Sequence, residues 1–217
     1  MEIQDLFFEF FVVVFGILSA LFINKINQKR NHKKRIQSIM DIVKNDLLKD
    51  LKEAENLIQN INKNILSKKV INGDKLTDKE KKQSMDLTTR YPLFQISTRG
   101  FNLLKDPKVD FDFKDSDLIT EIINLYDMYL DIIQSYSLYL RNNSERNLRS
   151  FMKYSWSVEF YKFELSVGYT KFIESVEYKA MLSYHNMLID GPWKNAILNY
   201  QKEIKETLEK IELSEFK

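Results

Sequence analysis

The sequence predicts an all-α protein: one N-terminal transmembrane helix continuing into a cytoplasmic bundle of about five or six helices. Three observations carry this expectation. Leu6 to Asn24 is a 19-residue run with one formal charge, Glu9. As a helix it spans roughly 28 Å, close to the ~30 Å hydrocarbon core of a bilayer. Elsewhere apolar residues recur at three- and four-residue steps, without the sustained alternation of strands. Five Gly and three Pro in 217 residues leave few breaks.

The apolar run is too long for a signal-peptide core. Its N-terminus, Met1-Glu2-Ile3-Gln4-Asp5, is acidic rather than basic. The flanks set orientation. Residues 1–24 hold no Lys or Arg, whereas residues 25–35 hold Lys25, Lys29, Arg30, Lys33, Lys34 and Arg35 and no acid. The positive-inside rule places the N-terminus outside and the rest in the cytoplasm, at a cell inner membrane. Residues 1–35 contain six of the 33 bases and three of the 31 acids, so the remainder has 27 and 28 and a net charge of −1. The basic balance therefore belongs to the membrane interface, where the cluster suits anionic lipid headgroups. A near-neutral domain is not expected to bind nucleic acid. The expected divisions are an anchor over 1–24, a basic juxtamembrane segment over 25–35 and a helical domain over 36–217.

Within the span, Gly16 and Ala20 form a small-xxx-small pair with Ser19 beside them, a pattern that permits close helix–helix approach in lipid. Glu9 lies about one turn inside the outer boundary. A carboxylate there reaches the interface or lines a polar oligomer axis.

Below the membrane, residues 25–66 read as a continuation of the same helix. Ile36, Ile39, Val43, Leu47, Leu51, Ala54, Ile58, Ile61 and Ile65 form one stripe, to be covered by the protein's own bundle or by a coiled coil between copies. Asn72-Gly73-Asp74 is a turn signal, and Thr77 with Glu80 fits a capping box opening a short polar helix to about Thr89. Tyr91-Pro92 marks a break. Leu93 to Leu104 reads as an apolar helix ending near Gly100, followed by a loop to Asp115 with Phe111 and Phe113 as lids. Ser116 or Asp115 can cap a long helix to about Leu140. Asn142-Asn143-Ser144 reads as a turn before an aromatic helix, about Arg146 to Val167, which Gly168 kinks or which continues to Leu188. Asp190-Gly191-Pro192 is the clearest break, and Trp193 to Ile211 the last helix.

No catalytic constellation, metal site or cofactor is expected. Zero Cys excludes disulfides and thiolate chemistry. His32 and His185 show no metal spacing, and the scattered glycines make no phosphate loop. No Arg precedes His185 at the spacing of HEPN-type ribonuclease motifs. Phe151, Tyr154, Trp156, Phe160, Tyr161 and Phe163 are expected to fill core rather than stack bases. Arg141 and Arg146–Arg149 sit at the expected turn, where a solvated surface is a simpler reading than an anion site.

Three stretches carry a resemblance: Phe15-Gly16-Ile17-Leu18-Ser19-Ala20-Leu21-Phe22-Ile23-Asn24, Ile96-Ser97-Thr98-Arg99-Gly100-Phe101-Asn102-Leu103-Leu104, and Asp117-Leu118 through Leu125-Tyr126. Together they resemble an uncharacterised family of single-pass bacterial membrane proteins with a G-I-L-I-A-L-x-I-N signature and a helical soluble domain. The chain departs from it in lacking a basic segment before the membrane helix. The resemblance implies architecture alone. The expected function is that of a non-enzymatic membrane protein that self-associates into a homo-oligomer. It would serve as a pore-forming or scaffold effector in bacterial stress or anti-phage defence. The alternative is a membrane-tethered sensor module for a ligand or protein partner.

Overall fold

The computed structural model describes residues 3–107, 109, 111, 116–162 and 164–214. All regular structure among them is helical. Its spine is α1, Ile3–Asn62, 60 residues without a break and about 90 Å long. Its lower half buries Ile36, Ile39, Met40, Val43, Leu47 and Ala54, with Leu51, Ile58 and Ile61 packed beside them. The stripe is therefore covered by the protein's own bundle. Ile65 leaves the stripe because α1 stops at Asn62 and a new helix, α2 (Ile65–Asn72), begins after Asn64, whose side chain accepts from the Ser67 N–H.

The turn at Asn72-Gly73-Asp74 forms as expected. Gly73 caps α2 in the left-handed region, φ 80°, where a side chain is strained. The capping box also forms: Thr77 and Glu80 exchange hydrogen bonds at the start of α3 (Asp78–Gln83). The Lys69 ammonium and the Thr77 donors hold the Glu80 carboxyl down at about 2. Past Ser84 the helix expected to reach Thr89 gives way to turns, and the Ser84 carbonyl accepts from both the Leu87 N–H and the Tyr178 hydroxyl.

The helix expected over Leu93 to Leu104 is mostly absent. Residues 90–98 are an extended strap, and only α4 (Arg99–Leu104) is helical. Phe94 and Ile96 are buried while Leu93 and Gln95 face out, a period of two rather than 3.6. Two carboxylates of α1 hold the strap. Asp50 accepts from the Ser97 N–H, and Asp46 from the Gly100 N–H at 2.7 Å. Gly100 opens α4 rather than ending a helix. A Cβ there would lie 2.8 Å from the Val43 Cα, so only glycine lets α4 rest on α1. Of the two expected lids, Phe111 packs against the core, and Phe113 lies outside the described residues.

The expected turn at Asn142-Asn143-Ser144 is also absent, since α5 runs through it from Ser116 to Phe151. Asn at a turn serves its own backbone. Here Asn143 and Asn147 are buried and bond to other elements. The aromatic helix expected over 146–167 is broken in turn. The chain makes α6 (Ser157–Tyr161), α7 (Val167–Ile173) and α8 (Val176–Leu188), the last two capped by Ser166 and Ser175. Gly168 neither kinks a long helix nor ends one. It lets the first turn of α7 meet Trp156, where a Cβ would be 2.8 Å from the ring. The break at Asp190-Gly191-Pro192 is a π-helical turn kinked at Gly191, leading into α9 (Lys194–Leu213).

Two cores result. The first joins lower α1, the strap, α4, α5 and α9. The second joins α2, the end of α5, and α6–α8, and takes in Phe151, Trp156, Phe160, Tyr169, Phe172 and Tyr178 at ring separations of 4.9–6.3 Å. The aromatic cluster is core, as expected; Tyr161 is exposed and Phe163 lies outside the described residues.

Two glycine substitutions separate the roles. Gly100→Ala is expected to destabilise the bundle by about 1–3 kcal/mol through overpacking against Val43. Gly16→Ala, where a Cβ meets nothing, is expected to cost no stability and to gain up to about 1 kcal/mol from helix propensity. Denaturant titration of the full chain in detergent, followed by tryptophan fluorescence, measures both.

Candidate functional site

The upper half of α1 is the first candidate. Nine apolar side chains from Phe10 to Ile23 are 56–66% exposed. At 100° per residue they fall on every side of the helix. Eighteen consecutive residues reach a mean hydropathy of 1.2 with none buried in the molecule, so among the described residues one helix is long and apolar enough to cross a membrane, by length and composition.

Gly16, Ser19 and Ala20 are all exposed on it. A mid-helix glycine costs about 0.5–1 kcal/mol relative to alanine, and no neighbour within the chain requires Gly16. Gly100 and Gly168, by contrast, are each forced by a close contact. Val43 lies about seven and a half helical turns beyond Gly16. The small-residue face and the bundle thus sit on opposite sides of the helix axis. Glu9 lies in helical backbone, and its side chain is outside the described residues. Of the basic collar, Lys25, Lys29, Arg30, Lys33 and Lys34 are exposed, while Arg35 pairs with Asp106 at 3.6 Å and is shared with the bundle.

The second candidate is the buried carboxylate of Asp50. Its oxygens accept from the Ser97 N–H at 3.1 and 3.0 Å and from the Tyr200 hydroxyl at 2.9 Å. Burial raises its pKa above the usual carboxylate range despite these donors, and Asp46 adds to the rise. The same surroundings push the Tyr126 and Tyr200 hydroxyls up. The site ties α1, the strap and α9 together.

The third is His185, fully buried on α8. Its Nε2–H donates to the Arg90 carbonyl at 2.7 Å, which makes Nδ1 the acceptor for the Asn143 amide at 3.0 Å. Burial lowers its pKa, so the neutral ring is favoured. Both nitrogens are engaged, as expected of a structural histidine. The arginines near Asn143 are not at a turn: Arg141 and Arg149 pair with Glu145 along α5, and Arg146 bonds Asn143 and covers the Tyr184 ring.

Among the described residues no group of three or more His, Asp or Glu is arranged to hold a metal. The strap clamp escaped sequence reading, although Asp46 and Asp50, one turn apart on the apolar stripe, were its signal. The chain matches no protein-family model, curated protein or solved structure.

Asp50 yields a pH test. A carboxyl raised in the fold stabilises fully below its unfolded pKa, near 3.8, and loses that contribution as pH rises through the native value. Wild type is expected to lose denaturant stability relative to Asp50→Asn as pH rises above the unfolded value of 3.8. A difference that grows in favour of wild type as pH rises contradicts this.

Proposed function

We propose that the chain is a single-pass, non-enzymatic protein of the bacterial inner membrane, with its N-terminus outside and residues 36–217 in the cytoplasm, and that it self-associates through its anchor. The all-round apolar surface of α1 between Phe10 and Ile23 carries this reading. Covering those nine side chains, each 56–66% exposed, is worth roughly 8–16 kcal/mol, about 0.6 of the ~1.5–3 kcal/mol that full burial of each would bring. That equals the whole net stability of an ordinary domain, about 5–15 kcal/mol. That magnitude supports a covered resting place for them rather than water. A protein groove would cover one face only, whereas lipid covers all of them. The exposed bases below the span favour the cytoplasmic leaflet, at about 1 kcal/mol each.

Gly16 supports the second half of the reading, since its missing side chain serves no contact within one copy. A second anchor at that face reaches close backbone packing, and the bundles, on the opposite side of α1, do not collide. Glu9 precedes Gly16 by seven residues, two turns, and shares its stripe. An assembly on this face carries carboxyls at its outer end, which favours a pore over a plain scaffold and suits a membrane-acting effector in stress or anti-phage defence. Asp50 and His185 are committed to holding elements together, which supports a non-enzymatic role.

The full chain is expected to stay with membranes after an alkaline carbonate wash; release into the supernatant contradicts insertion. With no native cysteine to mask, a maleimide applied to spheroplasts should label Gln4→Cys and spare Asn60→Cys. Light scattering in detergent should show more than one chain per particle. Gly16→Leu with Ala20→Leu should weaken association at least tenfold, and a wild type monomeric at every concentration removes the self-association half.

A further inference from the structure

We propose that the end of the bundle at the C-terminus of α1 binds a small ligand combining a planar, polar-edged ring with one phosphate, the chemistry of a nucleoside monophosphate. The inference is independent of the membrane reading. It starts from a cleft of about 320 Å³ where the end of α1, the start of the strap and the kink after α8 meet. That volume lies in the usual range for small-molecule sites, about 300–1,000 Å³. Its lining includes the aliphatic residues Leu57, Ile61 and Leu87 and the carboxamide residues Asn60 and Asn186. A carboxamide presents one donor and one acceptor side by side, the complement of a nucleobase edge. Tyr91, also in the lining, adds an aromatic face.

Arg90 stands at the mouth and also lines a second hollow of about 410 Å³, to which Lys82 belongs. Asp86 engages the Nε edge of Arg90 at 3.1 Å, and the side chain is 78% exposed. The carboxylate thus orients the guanidinium and leaves its two terminal amino groups to grip a phosphate as a fork. The acid in the cleft lining, Asp190, is met by Lys194 at 3.7 Å, and Lys82 of the adjoining hollow adds a positive charge beside these two balanced pairs.

The backbone carrying Arg90 is fixed by an unusual outlay of buried polar groups. His185 donates to the Arg90 carbonyl, and Asn147 donates to the Thr88 carbonyl at 2.8 Å. Asn143 holds the far nitrogen of His185. Three buried side chains from α5 and α8 therefore fix a loop whose exposed product is one arginine. Such a shell is what a binding residue needs to be preorganised.

Equilibrium dialysis of the full chain in detergent with labelled adenosine monophosphate tests the proposal. Adenosine and inorganic phosphate run beside it, to separate the nucleotide from its ring and from any free phosphate or headgroup. The expected result is saturable binding of one nucleotide per chain, with each half-ligand at least tenfold weaker. Arg90→Gln should weaken binding at least tenfold and Arg90→Lys by an intermediate factor; Lys202→Gln, on α9, should change nothing. The Arg90 side chain projects outward and its carbonyl is kept in the variants, so a circular dichroism melt should match wild type. Asn186→Leu, elsewhere in the lining, gives a second loss of binding that does not involve Arg90. No saturable binding up to roughly 5 mM, binding indifferent to Arg90→Gln and Asn186→Leu, or equal binding of adenosine overturns the proposal. A chain released by carbonate that still binds the nucleotide would end the membrane reading alone.

Discussion

A helix apolar on every side cannot rest in water, and a helix apolar on one side cannot stand in lipid. α1 is the first over its upper third and the second over its lower half, with no break between. That continuity is the constraint on which the rest depends. Because no Pro interrupts the helix and its only glycine meets no neighbour, the all-round apolar stretch and the one-sided stretch are joined by one continuous rod. The bundle is built on that rod's lower face. Its position relative to the basic collar is fixed by helix geometry alone.

The rod has a polar lock. Asp46 and Asp50 sit on the face of α1 that otherwise carries Val43 and Leu47, and they spend their lone pairs on backbone N–H groups of the strap and α4. A strap without helix or sheet must find partners for its amides; two of them find carboxylates. The cost is a buried charge, visible in the raised pKa of Asp50. The benefit is that the strap, α9 through Tyr200, and α1 move as one body. At the far end, Asn143, Asn147 and His185 do the same for the loop before the strap.

Much of this was legible in the residues. The long apolar N-terminal helix, its unbroken continuation, the Gly73 turn, the capping box at Thr77 and the break at Gly191 all rest on local chemistry: hydropathy, a left-handed backbone, a short polar cap. The misread segments rest on tertiary contacts. Asn142-Asn143-Ser144 carries turn residues, yet Asn143 is claimed by His185 from another helix. Gly100 has the look of a terminator, yet its job is to admit Val43. Leu93 to Ile96 alternates in and out, but four residues are too few to separate that period from a helix. Ser166 and Ser175 were recognisable caps, hidden because the aromatic run around them fits one long helix. The cleft at the end of α1 was illegible for a different reason: its lining comes from three segments distant in the chain.

The most direct test of the two-environment helix is a spin-label scan. With no native cysteine, single cysteines placed from Val12 to Ile23 and from Asp41 to Gln59 in nanodisc-reconstituted protein report oxygen and water-soluble quencher accessibility. The account requires high oxygen and low quencher accessibility at every position of the upper stretch, interrupted at most at the Gly16 face. The lower stretch must oscillate with a period near 3.6 residues. A one-sided pattern in the upper stretch, or quencher accessibility there as high as at Lys52, would contradict it.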